Sequence, residues 1–402
     1  MRTSCLLFLC LLFSAVERSL ASPSRLPSLP QFPSLAAFQQ TRDVMKAVSE
    51  SARLRGAVIG SFVADAAGMP VHWVYPKFKP ELAEQLNERF KDKKEFCPES
   101  FNPFYKLPLG QQSGYGDQTV ALLRALVEAG GWDRGVYCSH LQKMFGDGTK
   151  YDPSQLSSST YSHESKTAQN LPVTGGWRHQ SVKHFLQKIK ETESAEEGKG
   201  TGTGLSPDAQ MDGVAKLAPL VALYAGSPRM LQVVEECVRV TQEDQEAVDS
   251  ARVGAKLLES LLMGEPIEAE TVTKAVKSAG VSASMEAALL KSVDSVEEDH
   301  SSFAVREDVG ISCKVPNNLT NSLHCLLKCA KGGDPSEAWV SAVRATLNSL
   351  GCNCSRLCFV GGCMGAVGGE ESVPADWIEK TASITEIRAL SEELLGLRDK
   401  VK

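Results

Sequence analysis

Apolar residues recur at spacings of three and four along most of the chain, and convincing period-two alternation is scarce. The helical period runs through Leu35 to Leu54, Val120 to Glu128, Ala209 to Tyr224, Met230 to Arg239 and Glu246 to Leu262. It returns in Glu268 to Ser278, Ser322 to Ala330, Glu337 to Leu350 and Ile384 to Arg398. An all-α protein follows, with a single helical domain from about residue 50 to residue 400 interrupted by surface loops. The clearest loop is Glu191 to Gly204, where Glu193, Glu196 and Glu197 precede a Gly/Thr run that cannot bury a core. A second break is expected at Val293 to Ser302, and no fixed-period repeat is visible.

The first residues follow a different pattern. Arg2 precedes the apolar run Leu6 to Phe13, and Ser19-Leu20-Ala21 offers small residues for cleavage after Ala21. Residues 1–21 therefore read as a secretory signal peptide, implying the secretory pathway, secretion, or an organelle reached by a further targeting step. Residues 22–49 read as a Pro/Ser-rich leader, with Pro23, Pro27, Pro30 and Pro33, and an N-terminal helix. The apolar run is too short to span a bilayer, and no later stretch reaches the ~20 apolar residues of a membrane helix.

Composition narrows the function classes. The 402 residues are 42% hydrophobic and 23% charged, which excludes general disorder, and 6% aromatic, which argues against a sandwich or barrel of aromatic-rich strands. A formal charge of -6, with no basic run longer than Lys93-Lys94, leaves no electrostatic footprint for nucleic acid. Of twelve cysteines, ten would survive signal cleavage, six of them between Cys325 and Cys363. A secreted chain with that number invites disulfides. The stretch also reads as helix, and Cys352 and Cys354 lie too close for an easy mutual bridge, so mostly reduced, buried cysteines are expected.

Gly56, Gly60, Ala64 and Gly68 lie four apart before Pro70, a stripe that lets another helix approach closely and lacks any phosphate-loop pattern. Further motifs are Gly114-Tyr115-Gly116-Asp117-Gln118-Thr119 and Asp208-Ala209-Gln210-Met211-Asp212-Gly213, the latter running into Ala218-Pro219-Leu220. The last is Leu350-Gly351-Cys352-Asn353-Cys354-Ser355-Arg356, followed by Gly361-Gly362-Cys363-Met364-Gly365-Ala366. In this order the motifs resemble the ADP-ribosylglycohydrolase family. With Gly176-Trp177-Arg178-His179 they look most like its branch containing the jellyfish J crystallins and the fish selenoprotein J.

The resemblance implies an all-α ADP-ribosylglycohydrolase-like bundle that hydrolyses a glycosidic ADP-ribose bond. It implies two magnesium ions held by carboxylates, with ADP-ribose or an ADP-ribosylated substrate as partner. Carried over position by position, the ligands fall on His72, Asp117, Gln118, Cys352 and Cys354, so one carboxylate of five survives. A lone aspartate with an amide, an imidazole and two thiols has neither the charge nor the hardness for magnesium. Asp117 and Cys354 are then the candidates for chemistry, and Gly68, His72, Thr119, Gly351 and Ser355 for substrate contact. Asp65 and Asp212 are the other motif carboxylates able to compensate.

Three readings of such a site stand side by side. In one, the chain is a structural, crystallin-like protein, Asp117 caps the helix beginning near Gln118, and the cysteines are buried apolar groups. In another, a helix N-terminus and Arg356 activate Cys352 and Cys354 for redox work. In the third, His72, Asp117, Cys352 and Cys354 converge on zinc. His179 and His184 read as a packed amphipathic surface, and His163 and His300 as solvent-facing loop residues. Asn318 and Asn353 open glycosylation sequons, the former in a loop after Pro316 and the latter in the cleft, unmodified.

Overall fold

Ser49 starts the first helix: its backbone is extended at φ -66° and ψ 153°, and its hydroxyl accepts from the Ala52 N–H. The computed structural model describes residues 48–152, 171–193, 208–331 and 333–401, all within one unit spanning Ala37–Lys402. The helices are α1 (Glu50–Gly68), α2 (Pro80–Phe90), α3 (Gly114–Ala129), α4 (Arg134–Phe145), α5 (Gln180–Glu193), α6 (Asp212–Ala215) and α7 (Leu217–Tyr224). They continue as α8 (Met230–Val238), α9 (Gln245–Leu262), α10 (Ala269–Ser278), α11 (Ala283–Asp294), α12 (His300–Ala304) and α13 (Asn317–Cys329). The last are α14 (Pro335–Asn348), α15 (Asn353–Gly368), α16 (Ala375–Lys380), α17 (Ile384–Gly396) and α18 (Arg398–Val401). The described strands are a two-residue parallel pair, β1 (Tyr105–Lys106) against β2 (Val173–Thr174). The fold is all-α and the described part is a single domain.

α1 and α15 form its axis. Both are buried along most of their length and have no single apolar face, as expected of helices that neighbours surround. They meet at glycines: a Cβ at Gly365 or Gly361 would lie under 3.0 Å from the backbone of Gly56 or Gly60. The small-residue stripe is therefore a helix-crossing surface. α13, α14 and α9 pack around α15, and the C-terminal end of α1 gathers with the first turns of α3, α6 and α15.

Several expectations need correction. Leu35 to Leu54 is not one continuous helix, because the extended Ser49 interrupts it and residues below 48 lie outside the described part. Ala209 to Tyr224 splits at Lys216, where Pro219, lacking an N–H, fits only in the first turn of a new helix. α2 and α11 were not visible as apolar periods because α2 buries only Ala83 and Leu86, and α11 only Met285, Leu289 and Ser292. α5 runs through Glu193, so the acidic linker starts later than its charge suggests. The remainder of that linker, His163 and the signal peptide fall outside the described residues.

Two polar residues expected in loops are in the interior. His300 opens α12, which is capped by Asp299, and its ring stacks beside His324 with the two Nδ1 atoms 3.1 Å apart. Burial first, then His324 and Arg356, lowers the pKa of His300 to about 3. Asn318 is fully buried in the first turn of α13, donating to Ser355 Oγ at 2.8 Å, so its sequon is not a surface site.

Candidate functional site

Asp65, on the last turns of α1, is fully buried and faces the start of α3. Its carboxylate accepts from the Ser113 N–H at 2.7 Å and the Ser113 hydroxyl at 2.6 Å. Ser113 is the residue that caps α3, its hydroxyl accepting from the Tyr115 N–H at 3.1 Å. The expectation that Asp117 caps this helix is therefore corrected: α3 begins at Gly114, and Asp117 sits within its first turn. Gly116 is required here because a Cβ would fall under 3.0 Å from Asp65 Oδ2. Burial raises the Asp65 pKa to about 6 even though the Ser113 bonds oppose it.

Asp117 is nearly buried and its Oδ2 is doubly engaged: the Tyr151 hydroxyl donates at 2.5 Å and the Lys150 ammonium lies at 2.7 Å. Both partners come from the turn after α4. An amine charge thus stands on the one carboxylate retained from the metal motif.

At the start of α6, Asp212 Oδ1 accepts from Gln118 Nε2 at 2.7 Å, Ser181 Oγ at 2.9 Å and His179 Nδ1 at 2.9 Å. Burial pushes this carboxyl upward, but His179, Gln118 and Ser181 outweigh it and hold the pKa at about 2. His179 is thus a buried member of the site, correcting its assignment to a packed surface. Its Nε2, buried against Gly114, has no hydrogen-bond partner.

Cys352 lies at the N-cap of α15, fully buried. Its sulfur has the Tyr115 hydroxyl at 3.2 Å, the Ser355 hydroxyl at 3.2 Å and His72 Nε2 at 3.7 Å. His72 in turn places Nδ1 2.9 Å from the Tyr105 hydroxyl, and burial, with His179 and Arg356, keeps its pKa well below the ordinary value, so the ring is neutral. Arg356 is fully buried; its Nη1 donates to Asn318 Oδ1 at 3.0 Å and its Nη2 to Leu350 O. Burial raises the Cys352 thiol, yet hydrogen bonds from Cys313, Ser355 and Tyr115 together with Arg356 outweigh it and bring the pKa to about 7. Cys354 is the opposite case. Its sulfur points to the Asp65 carbonyl at 3.8 Å, and burial, then the Asp65 and Cys352 charges, keep it protonated.

Trp73, Phe104 and Trp177 flank this cluster, their rings meeting edge to face at 5.5 to 6.3 Å. Trp73 adopts a left-handed φ of 62°, and its N–H donates to Gly351 O at 2.9 Å, while Gly351 N donates back to Val74 O at 2.8 Å. Gly351, at φ 67° with Ile311 O against its Cα, is the residue that permits this turn.

The site residues inferred from sequence are thus brought together only in part. His72, Cys352 and Ser355 form one cluster, whereas Asp117 turns to Lys150 and Tyr151, and Cys354 to the α1 backbone. Gly68 packs beneath Leu357, and Thr119 donates to Tyr115 O at 3.0 Å. The zinc arrangement is corrected on these grounds: among the described residues no group of three or more His, Cys, Asp or Glu side chains could hold a metal ion. Magnesium does not fit either, since its ligand positions carry two sulfurs, an imidazole, an amide and a carboxylate already neutralised by Lys150. Lys150, Tyr151, Tyr105 and Cys313 were not found from sequence, having no motif or spacing to mark them.

The profile of the ADP-ribosylglycohydrolase family matches residues 46–402. Crystallin J1A of Tripedalia cystophora is 34% identical over 366 residues, covering 87% of this chain and 98% of that protein. Crystallin J1B of the same organism is 32% identical over 350 residues, covering 86% and 97%. A solved structure described as an ADP-ribosylglycohydrolase-related protein complex superposes with a TM-score of 0.60 at 20% identity, covering 87% of this chain and 99% of that one, a likeness of fold.

Proposed function

The chain belongs to the ADP-ribosylglycohydrolase family, and from that premise we propose that it has kept the family's fold without its magnesium-dependent hydrolysis and serves as a structural protein, as the name of its crystallin relatives suggests. The observation that carries this reading is the Lys150 ammonium 2.7 Å from Asp117 Oδ2. A divalent cation at that oxygen must displace both the ammonium and the Tyr151 hydroxyl, and would then meet sulfur where hard oxygen ligands are needed. Asp65 and Asp212 do not compensate: Ser113 occupies both oxygens of Asp65, the His179–Gln118–Ser181 group holds Asp212 Oδ1, and the one buried oxygen left without a partner, Asp212 Oδ2, cannot by itself replace the missing hard ligands. The bonds that replace metal contacts instead tie α1, α3, α6 and the turn after α4 together, which suits a protein whose function is to remain folded.

ADP-ribosylated substrates are what the family implies. The reading is tested by incubating the purified protein with an ADP-ribosylated protein and magnesium, with chromatography following release of free ADP-ribose. Release should not exceed the enzyme-free control. Magnesium-dependent release that disappears in Asp117→Asn would overturn the proposal.

A further inference from the structure

His300 and His324 meet in the interior, and their hydrogen bonds fix where the protons are. The Nε2 of His324 lies 3.0 Å from Ser295 O, and a carbonyl only accepts, so that nitrogen carries a proton. The neutral ring then has a bare Nδ1, which must accept from His300 Nδ1–H across 3.1 Å. This tautomer leaves His300 Nε2 bare, and that buried atom has no hydrogen-bond partner. Neither ring can take up a further proton in place. On His324 it would set two N–H groups against each other, and on His300 it would make a buried cation without an acceptor. Arg356 of α15 and Lys328 of α13 add positive charge around the pair, against Asp299 and Glu298 in the turn before α12. Arg306, over the Phe303 ring at 5.3 Å, is bound to Glu298 and Asp308, and Lys291 of α11 also to Asp308. The charged residues of α14 are Glu337, which is exposed, and Arg344, which is bound to Glu95.

We propose that the His300–His324 pair is an acid-released latch that holds α12 and the strap after it, residues 305–315, closed over the Cys352 cluster. α12 buries only His300, Phe303 and Ala304, and Phe303 lies flat on the His324 ring with centroids 3.9 Å apart, so the pair is central to its hold on α13. The strap continues from there into the site. Asn321 Nδ2 donates to Gly310 O at 3.1 Å, and Ile311 O and Cys313 O accept from the Cys352 and Met211 N–H groups at 2.9 and 3.0 Å. Cys313 packs against the buried group that contains Tyr115 and Cys352. In the open form both imidazoles are in water and take a proton near the ordinary 6.5, whereas burial holds His300 neutral down to about 3 and lowers His324 as well. The open form therefore binds the proton first as pH falls: the latch is complete above about pH 6.5 and is lost progressively below it, toward about 3. This device goes beyond the structural reading and is independent of it, since no metal and no ADP-ribose enters.

The test is hydrogen–deuterium exchange of the full-length protein from about pH 7.5 to about pH 4.5, read by mass spectrometry and corrected for the intrinsic pH dependence of exchange. Protection of α12 and strap peptides should fall below about pH 6.5 by about tenfold per pH unit for each proton taken up on opening, while α1 and α15 peptides change far less. His300→Phe, which fills the ring's space without a titrating nitrogen, should reduce the fall to that of one ring at most. The double variant with His324→Phe should abolish it, and His140→Gln, on α4, should behave as wild type. A double variant that keeps the wild-type fall overturns the proposal. Should the variants fail to fold, wild type alone decides: strap protection that stays within about twofold across the range, or that falls only in step with α1, overturns it.

Discussion

Gly365→Ala should destabilise the protein by about 3 kcal/mol, the upper part of the range for overpacked cores. The new Cβ would lie under 3.0 Å from the carbonyl of Gly56, on the opposite helix. That neighbour is backbone within α1, so no rotamer change relieves the clash; α1 and α15 must separate, and every side chain they bury is disturbed. Gly361→Ala meets the same fate against Gly60 and Ala64. The control is Gly396→Ala, on the exposed side of α17 with nothing within 4 Å, where alanine should be neutral or slightly stabilising. Urea unfolding followed by far-ultraviolet circular dichroism measures all three. A Gly365→Ala protein within about 0.5 kcal/mol of wild type would mean that the crossing is looser than described.

Asp212→Ala should cost about 4 kcal/mol. Its Oδ1 accepts from Gln118, Ser181 and His179, all buried, and truncation leaves the three donors without an acceptor in a region closed to water. Asn at the same position keeps the volume and one acceptor, so it should cost less than alanine. The pH dependence has a defined sense. The folded-state pKa, about 2, lies below the ordinary 3.8, so the unfolded chain takes up the proton first as pH falls. The carboxylate's contribution is then complete above about pH 4 and is lost as pH drops through about 2. The gap between wild type and Asp212→Ala should stay constant from pH 7 to 5 and narrow only at the acid end; denaturant titrations at several pH values read it directly. A gap that closes already between pH 7 and 5 would assign the stabilisation to another group.

The helical architecture was legible because it rests on local signals. Glycines four apart in an apolar run announce a close helix crossing, and α1 with α15 supplies it. Where the apolar period is weak, as in α2 with its two buried side chains, helices were missed. The site was harder. Asp117, His72 and Cys352 were found by their motifs, but the residues that meet them, Lys150 and Tyr151 at Asp117, Tyr105 at His72 and Cys313 near Cys352, lie in turns and short strands, where no period constrains a side chain and only the tertiary path brings them near. His300 and Asn318 failed for a related reason: polar residues expected outside become interior when a neighbour such as His324, Ser355 or Arg356 satisfies them, and that neighbour is distant in sequence. The two motif cysteines, alike in sequence, diverge because Cys352 meets hydroxyls and a guanidinium whereas Cys354 meets a carbonyl and a carboxylate.

The claim that ties these observations together is that internal hydrogen bonds and the Lys150 charge have replaced bound metal. Isothermal calorimetry of ADP-ribose titrated into the full-length protein, once with excess magnesium and once with a chelator, tests it most directly. Magnesium should leave any ADP-ribose affinity unchanged and produce no binding heat when titrated alone. An affinity raised tenfold or more by magnesium, equivalent to about 1.4 kcal/mol of coupling, would contradict the account and show that oxygens now bonded to Lys150, Tyr151 and Ser113 are released to hold the ion.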